Sequence, residues 1–232
     1  MRCGCGLGKG ERRASEAVFE EQQTMDKKDG TATGIGDGMR KLIVVRIVHA
    51  PSDMGSASAG LEKAGKSALG EARWQENQKK IEKFWQELET EVEGLGLDNA
   101  KLHIYQDGLP CAGEIGERIV RETAAKGSRN YQIVQKLMDS GARIEATESV
   151  DLLRREYGFI KALLEAKTDS ERRAAEEQYN RAKDSLLVQR DQFIAQAIDA
   201  SLKDGETGLL FIGASHNVLP KIASDIDVKC LD

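Results

Sequence analysis

Two of the three histidines in this chain closely follow apolar segments, where an imidazole side chain is well placed to do chemistry. His49 directly follows residues 42–48, and His216 lies four residues after the segment 208–212. Neutral imidazole nitrogens bind Zn²⁺, Mn²⁺ or Fe²⁺, and an imidazole also gains or loses a proton near neutral pH. The two histidines therefore indicate a metal site or an acid–base site, provided that the two segments end at the same place in the fold.

The elements that must position these histidines are predicted strands of a parallel sheet. Residues 42–48 are β-branched and apolar on both faces, which is typical of a central parallel strand covered by helices. Further strands are predicted at 101–105, 143–147, 208–212 and, as a short edge strand, 226–230. Helices are predicted at 68–93, 114–125, 131–140, 150–166 and 169–202. This alternation predicts an α/β fold with a mostly parallel sheet flanked by helices.

The last two predicted helices form a long, highly charged hairpin. Thr168 and Glu171 have the spacing of a capping box, in which a hydroxyl and a carboxylate satisfy amide groups at the start of a helix. At 1.5 Å per residue the second helix would be about 50 Å long, which exceeds the sheet that it must cover. We therefore predict that part of the hairpin, at about 150–203, projects as an arm from a single α/β domain over 39–232. Residues 1–38, rich in glycine and charge, are predicted to be a flexible leader.

Composition excludes several classes of function. The 232 residues carry a net charge of −5, so a basic surface for nucleic acid is not expected. Four scattered cysteines do not suggest a disulfide framework and fit a reducing compartment. No apolar stretch has the length of a membrane span or the form of a secretory signal. These features predict a cytoplasmic protein with no nucleic-acid or membrane partner.

The candidate site residues come from the carboxyl ends of the predicted strands, because ligands bind beyond those ends in open parallel sheets. We predict that His49 and His216 bind a divalent metal, Zn²⁺, Mn²⁺ or Fe²⁺. Asp53 or Glu148 would complete the set of ligands or act as a base. Arg190, in the second helix of the hairpin, would hold an anionic group or orient a carboxylate.

Simpler interpretations stand beside these assignments. A histidine after a strand is often a hydrogen-bonded loop residue, and an aspartate such as Asp53 often caps a helix. Asp107 begins an Asp-Gly pair, which is ordinary turn chemistry. Arg190 and its neighbour Asp191 fit an ion pair on the surface of a helix.

Three functions follow from these observations. The first is a metal-dependent hydrolase acting on an unidentified small molecule or peptide. The second is a non-catalytic domain that binds a small ligand or a protein and assembles as a homo-oligomer through the helical hairpin. The third is a metal-free acid–base enzyme, for which the chain offers no recognisable pair of nucleophile and base.

The C-terminal third of the chain resembles the TraB/Tiki group and its erythromycin-esterase and ChaN-like relatives. In these proteins an arginine in a helix precedes a strand that ends in G-x-x-H, as Arg190 precedes the strand ending at Gly213 to His216 here. The resemblance implies a metal-dependent protease or hydrolase with a second G-x-x-H after the first strand. His49 occupies the position of that second histidine, and Arg46 stands where the motif has glycine.

Overall fold

Five parallel strands form one sheet in the order β3-β2-β4-β1-β5. The structure is a computed structural model that describes residues 39–231, so the predicted leader, residues 1–38, lies outside the described residues. The strands are β1 (Arg40–Ile47), β2 (Leu102–Gln106), β3 (Arg143–Ile144), β4 (Thr207–Gly213) and β5 (Ile226–Leu231). The predicted α/β fold is confirmed, and β5 lies at the edge of the sheet as its alternating polar pattern indicated.

Six α-helices flank this sheet in the described part of the chain. They are α1 (Ser58–Leu69), α2 (Glu71–Gly94), α3 (Gly113–Ala125), α4 (Arg129–Asp139), α5 (Val150–Glu165) and α6 (Asp169–Ser201). Short 3₁₀ helices occupy Pro51–Ala57, Asn99–Lys101 and Leu219–Lys221. Each helix therefore lies between two strands along the chain, as parallel pairing requires.

The two faces of the sheet carry separate apolar cores. On one face Val45 and Ile47 of β1 pack in a cluster with buried side chains of α2, α3 and α4. On the other face Leu42 and Val44 of the same strand pack with the C-terminal half of α6. Alternate residues of a strand point to opposite faces, so a β1 that is apolar at both sets of positions is covered by helices on both sides.

The segment between β1 and β2 differs from its sequence-based prediction. One helix was expected over 68–93, but α1 already begins at Ser58, and Gly70 separates it from α2 with a φ of 76°. Glycine adopts this backbone conformation without a steric penalty. The two helices pack closely, since a Cβ atom on Gly65 would lie 2.2 Å from the Trp74 ring. The contact joins residues on either side of Gly70, in two different helices. The prediction of one continuous helix did not include it.

Helices α5 and α6 form the predicted hairpin, and Thr168 with Glu171 makes the capping box at the start of α6. The 33 residues of α6 are buried mainly in its C-terminal half, from Leu186 onwards. Its N-terminal half packs on α5, where the rings of Phe159 and Tyr179 lie 6.0 Å apart. Within residues 39–231, neither α6 nor any other helix is long and apolar enough to cross a membrane. The hairpin therefore uses its C-terminal end to cover the sheet, and that end contributes residues to the site described below.

A buried histidine near the start of β2 makes the stability of the fold depend on pH. His103 Nδ1 lies 2.8 Å from Glu145 Oε1, and Nε2 lies 2.9 Å from Glu206 Oε2. The hydrogen bond to Glu145 raises the pKa of His103; burial opposes the increase, and Glu206 adds to it. The folded pKa therefore lies above the unfolded value of about 6.5.

We expect the ion pairs of His103 to stabilise the fold fully below about pH 6.5, with the contribution lost as pH rises through the raised pKa. Replacing His103 by glutamine should remove this component. Urea unfolding of the wild type and of His103→Gln at a series of pH values between 5 and 9 measures it. Identical pH dependences of the unfolding free energy in the two proteins would contradict the assignment.

Candidate functional site

The carboxyl ends of β1, β2 and β4 converge on one buried carboxylate, Asp107. This residue directly follows β2 and is 5% exposed. Its Oδ2 atom lies 3.1 Å from His49 Nε2 and 3.5 Å from His216 Nε2, and it accepts a hydrogen bond of 3.0 Å from the Gly213 amide. The three strands are parallel neighbours, so their carboxyl ends bring together residues that are far apart in the chain. Both predicted histidines thus lie at the same end of the sheet.

Arg190 of α6 is buried against three carboxylates. Its Nε atom donates to both oxygens of Glu148, at 3.1 and 3.2 Å, and Nη2 also donates to Glu148. Nη2 donates to Asp107 Oδ1 at 2.8 Å, and Nη1 donates to Glu156 Oε2 at 2.5 Å. All three guanidinium nitrogens are therefore engaged within the protein. Of the two predicted roles for Arg190, this geometry suits the orientation of carboxylates.

The next residue, Asp191, holds the imidazole of His216. His216 Nδ1 donates to Asp191 Oδ1 at 2.6 Å. The other carboxylate oxygen accepts from the Asn217 amide at 3.0 Å and lies 3.5 Å from Lys221 Nζ. A carboxylate bound to one ring nitrogen fixes the tautomer and the ring orientation. Because Nδ1 is bound to Asp191, Nε2 is the ring nitrogen that faces Asp107 and the rest of the site.

Two carboxyl groups of the site have pKa values displaced in opposite directions. Burial raises the pKa of Glu148 to about 7, although Arg190 opposes the increase. Burial also opposes ionisation of Asp107, but the charges and hydrogen bonds of His216, His49 and Arg190 hold its pKa well below the usual range. Neighbouring acids with separated pKa values are typical of acid–base sites. At neutral pH Asp107 is therefore charged, while Glu148 lies near the midpoint of its titration.

His49 is the member of the group that solvent reaches, since its side chain is 33% exposed. Burial of the ring lowers the pKa of His49, but the hydrogen bond and charge of Asp107 outweigh it and leave the pKa raised. Asp53 lies on the flank of His49 and accepts hydrogen bonds from the Ala50 amide, at 2.7 Å, and from the Ser128 hydroxyl. Burial raises the pKa of Asp53 despite these bonds. The contacts of Asp53 thus tie the loop after β1 to the start of α4.

We use the name sheet-end cluster for His49, Asp107, Glu148, Arg190, Asp191 and His216. Four of these residues were predicted from the sequence, and Asp107 and Asp191 were not. The signal that could have identified Asp107 is its position two residues after the predicted strand 101–105, but its Asp-Gly pair was interpreted as ordinary turn chemistry. For Asp191 the sequence offers only its adjacency to Arg190. Asp53 was predicted, but its hydrogen bonds are to residues outside the cluster.

The G-x-x-H motif after β4 has a steric basis. A Cβ atom on Gly213 would lie 2.8 Å from His49 Nε2 and 3.2 Å from Asp107 Oδ2, so no larger residue fits without displacing them. Near the end of β1, Arg46 stands where the G-x-x-H motif would have glycine, and its Nη1 donates to the His216 carbonyl oxygen at 2.9 Å. Arg46 therefore supports the loop that carries His216 from the neighbouring strand.

Replacing Gly213 by alanine should displace the His49 or Asp107 side chain and destabilise the fold by about 1–3 kcal/mol. Gly208→Ala is a matched control, because its Cβ atom would lie 2.9 Å from Leu42 and 3.0 Å from Tyr105, away from the cluster. We expect both variants to lose stability, but only Gly213→Ala to shift the pKa of His49 measured by NMR titration. An unchanged His49 titration in Gly213→Ala would contradict the close packing inferred here.

Comparisons with known proteins do not add to this description. No protein-family model matches the chain, and neither the curated proteins nor the solved structures include a match to it. The function is therefore argued from the geometry and the charges of the sheet-end cluster.

Proposed function

We propose that this protein is a metal-dependent hydrolase whose site is the sheet-end cluster. The observation that carries the proposal is the approach of His216 Nε2 to Asp107 Oδ2, which lie 3.5 Å apart within a buried group of potential ligands. Tetrahedral ligands at the usual zinc distance of about 2.0–2.1 Å lie about 3.3 Å from one another. The spacing of Asp107 and His216 therefore suits a shared divalent ion, and His49 Nε2 lies 3.1 Å from the same Asp107 oxygen on the solvent side.

Glu148 is the third member of this buried group. One potential ligand atom from each of Asp107, Glu148 and His216 lies within 4.8 Å of the other two, and all three residues are buried. Both oxygens of Glu148 already accept hydrogen bonds from Arg190. This arrangement suits Glu148 to the role of base beside the ion better than to that of a ligand.

The charges around the site also support a cation. Asp53, Asp107, Glu148, Glu156 and Asp191 supply five carboxyl groups in or beside the cluster. Arg190 and Lys221 are the permanently charged cations in contact with them. Buried carboxylates without a counter-charge are costly. A divalent ion bound beside His216 and Asp107 would offset part of this charge, as would protonation of the histidines.

Each residue then has a defined part in the reaction. A bound divalent metal ion would supply a water molecule of lowered pKa, which is a nucleophile at neutral pH. Glu148, with a pKa of about 7, would serve as the base that accepts a proton from such a water and returns it to the leaving group. Arg190 positions Glu148, and Asp191 keeps His216 Nε2 directed at the site. His49 lies on the solvent side, where substrate enters.

The metal content of the purified protein tests this proposal. The full chain is prepared without chelator or metal-affinity tag, as the wild type and as His49→Gln, His216→Gln and His103→Gln. We expect near-stoichiometric metal in the wild type and loss of that metal in the first two variants. His103→Gln is the matched control, because the third histidine lies near the start of β2, bound to Glu145 rather than to the cluster.

Absence of metal from the wild type, even after incubation with Zn²⁺, Mn²⁺ or Fe²⁺, would overturn the proposal. The cluster would then be a buried network of ion pairs, and the non-catalytic binding domain predicted as the alternative would be favoured. Equal metal loss in all three variants would also count against the assigned ligands. Such a result would indicate a general effect of losing histidine rather than loss of a site.

A further inference from the structure

The strand β5 forms a free edge of the sheet. Its six residues, Ile226–Leu231, are in register with β1, which is its one strand neighbour in the described part of the chain. Apart from this pairing, the backbone of β5 makes one hydrogen bond within residues 39–231, from the Ile226 amide to the Ala223 carbonyl oxygen. The outward-facing amide and carbonyl groups of β5 are therefore open to pairing with another strand. The opposite edge strand, β3, has two residues and offers much less backbone.

The side chains of β5 are exposed on both faces of the strand. Asp227, Lys229 and Cys230 are exposed, and the apolar Val228 is 37% exposed. Strands of parallel sheets are usually covered by helices on both faces. In β5 only Ile226 is buried, in the core that also contains Leu42 and Val44. The helices of the described chain therefore leave most of this edge uncovered.

Two opposite charges flank Val228 on this edge. Asp227 and Lys229 are two residues apart in a strand, so their side chains project from the same face of the sheet. Among the described residues, neither side chain has an ion-pair or hydrogen-bond partner. A lysine on an edge strand commonly prevents pairing with a second copy. Here the neighbouring aspartate offers that lysine a partner of opposite charge in a second copy.

We propose that β5 pairs antiparallel with β5 of a second copy of this chain, in the register that places Val228 opposite Val228 of the partner subunit. A twofold axis brings the same residues together twice. Asp227 then lies opposite the partner's Lys229, and Lys229 lies opposite the partner's Asp227. Opposite charges directly across an antiparallel pair stabilise it.

This register is distinguished from its neighbours by charge. A twofold axis at Asp227 would place two aspartates opposite each other, and an axis at Lys229 would place two lysines opposite each other. Like charges directly opposite are destabilising. The axis at Val228 instead joins the two sheets through an exposed apolar residue with complementary charges on both sides. The β5 dimer is therefore a different interface from one formed by the helical hairpin.

Charge reversal tests the dimer by analytical ultracentrifugation of the full chain. We expect the wild type to dimerise, and Asp227→Lys and Lys229→Asp each to raise the dissociation constant at least about tenfold, because each places like charges opposite each other twice. The double variant Asp227→Lys/Lys229→Asp restores opposite charges and should return within about twofold of the wild type. An equimolar mixture of the two single variants should form a heterodimer for the same reason.

A general effect of charge predicts a different pattern. The net charge is −5, so weaker repulsion between copies would make Asp227→Lys associate more tightly, opposite to the expected result. Asp184→Lys is the matched control, because it makes the same change at an exposed residue of α6 in the helical hairpin. We expect it not to weaken the dimer. A monomeric wild type, or equal weakening by Asp184→Lys and Asp227→Lys, would overturn the proposal.

Cysteine cross-linking tests the register. Two residues 228 would have Cα atoms about 4.5–5.5 Å apart across the antiparallel pair, within the range of a disulfide. Two residues 230 would be offset by about 14 Å along the strands, which is too far. With the other native cysteines replaced by serine, mild oxidation should therefore cross-link a chain carrying Val228→Cys and Cys230→Ser, but not a chain that keeps Val228 and Cys230. Equal cross-linking of the two proteins would contradict this register.

Discussion

Replacing Arg190 by methionine is expected to lower the free energy of unfolding by about 3–5 kcal/mol at pH 8. The guanidinium group is buried and bound to Asp107, Glu148 and Glu156. Its removal leaves two fully buried carboxyl groups without their cation, and a buried charge without a partner is strongly destabilising. Urea unfolding monitored by circular dichroism measures the loss.

The same variant should show a characteristic pH dependence. Burial raises the pKa of Glu148 to about 7 even with Arg190 present, and removal of the cation raises it further. A carboxyl group with a raised folded pKa destabilises the fold increasingly as pH rises above its unfolded value of about 4.3. The difference between the wild type and Arg190→Met should therefore be small near pH 5 and largest above pH 8. Adding Glu148→Gln to Arg190→Met should recover part of the stability.

An exposed arginine provides the control for this prediction. Arg181 pairs with Glu177 one helical turn away on α6, and both side chains are more than two-thirds exposed. Arg181→Met should therefore change stability by less than about 0.5 kcal/mol. If Arg190→Met were no more destabilising than Arg181→Met, the ion pairs of Arg190 with its three carboxylates would not stabilise the packing of α6 on the sheet.

Replacing Asp107 by asparagine is expected to reduce metal affinity at least about 100-fold, because the substitution removes the charged ligand between the two histidines. It should also lower the pKa of His49, since the hydrogen bond and charge of Asp107 keep that pKa raised. The second effect does not depend on metal. Isothermal titration with Zn²⁺ and NMR titration of the His49 ring measure the two effects on the same protein.

Asp191→Asn is the matched control for Asp107→Asn, because it removes the carboxylate on the far side of His216. Loss of a group that orients a ligand typically reduces metal affinity by about 10–100-fold. We expect a weaker effect on zinc binding than from Asp107→Asn and no decrease in the pKa of His49, which Asp191 does not contact. Equal effects of the two variants on His49 would show that Asp107 does not have the central place assigned to it.

The resemblance to the TraB/Tiki group remains a prediction, and the residues on which it was based lie close together in the structure. Gly213 leaves room for His49 and Asp107, while Arg190 and Asp191 approach the same place from α6. Arg46, at the position where a second G-x-x-H would have glycine, donates a hydrogen bond to the His216 carbonyl oxygen.

The sequence by itself determined the features that depend on local interactions. The β-branched, two-sided apolar pattern of 42–48 predicted a central strand, and the strand is β1. The hydroxyl of Thr168 and the carboxylate of Glu171 predicted the start of α6, because a cap is formed by residues three apart. The location of His49 and His216 at the same end of the sheet followed from the parallel arrangement of their strands.

Only the tertiary structure decided which polar residues are buried and what they contact. An Asp-Gly pair such as that of Asp107 has the same local pattern whether the aspartate faces water or the core. Asp107 is buried because it forms hydrogen bonds with residues that are distant in the sequence. These are His49, 58 positions earlier, and the Gly213 amide, 106 positions later. Asp191 is likewise buried because α6 lies across the sheet at the loop that carries His216. Strand order sets these long-range contacts, and strand order depends on packing across the whole sheet rather than on any local pattern of residues.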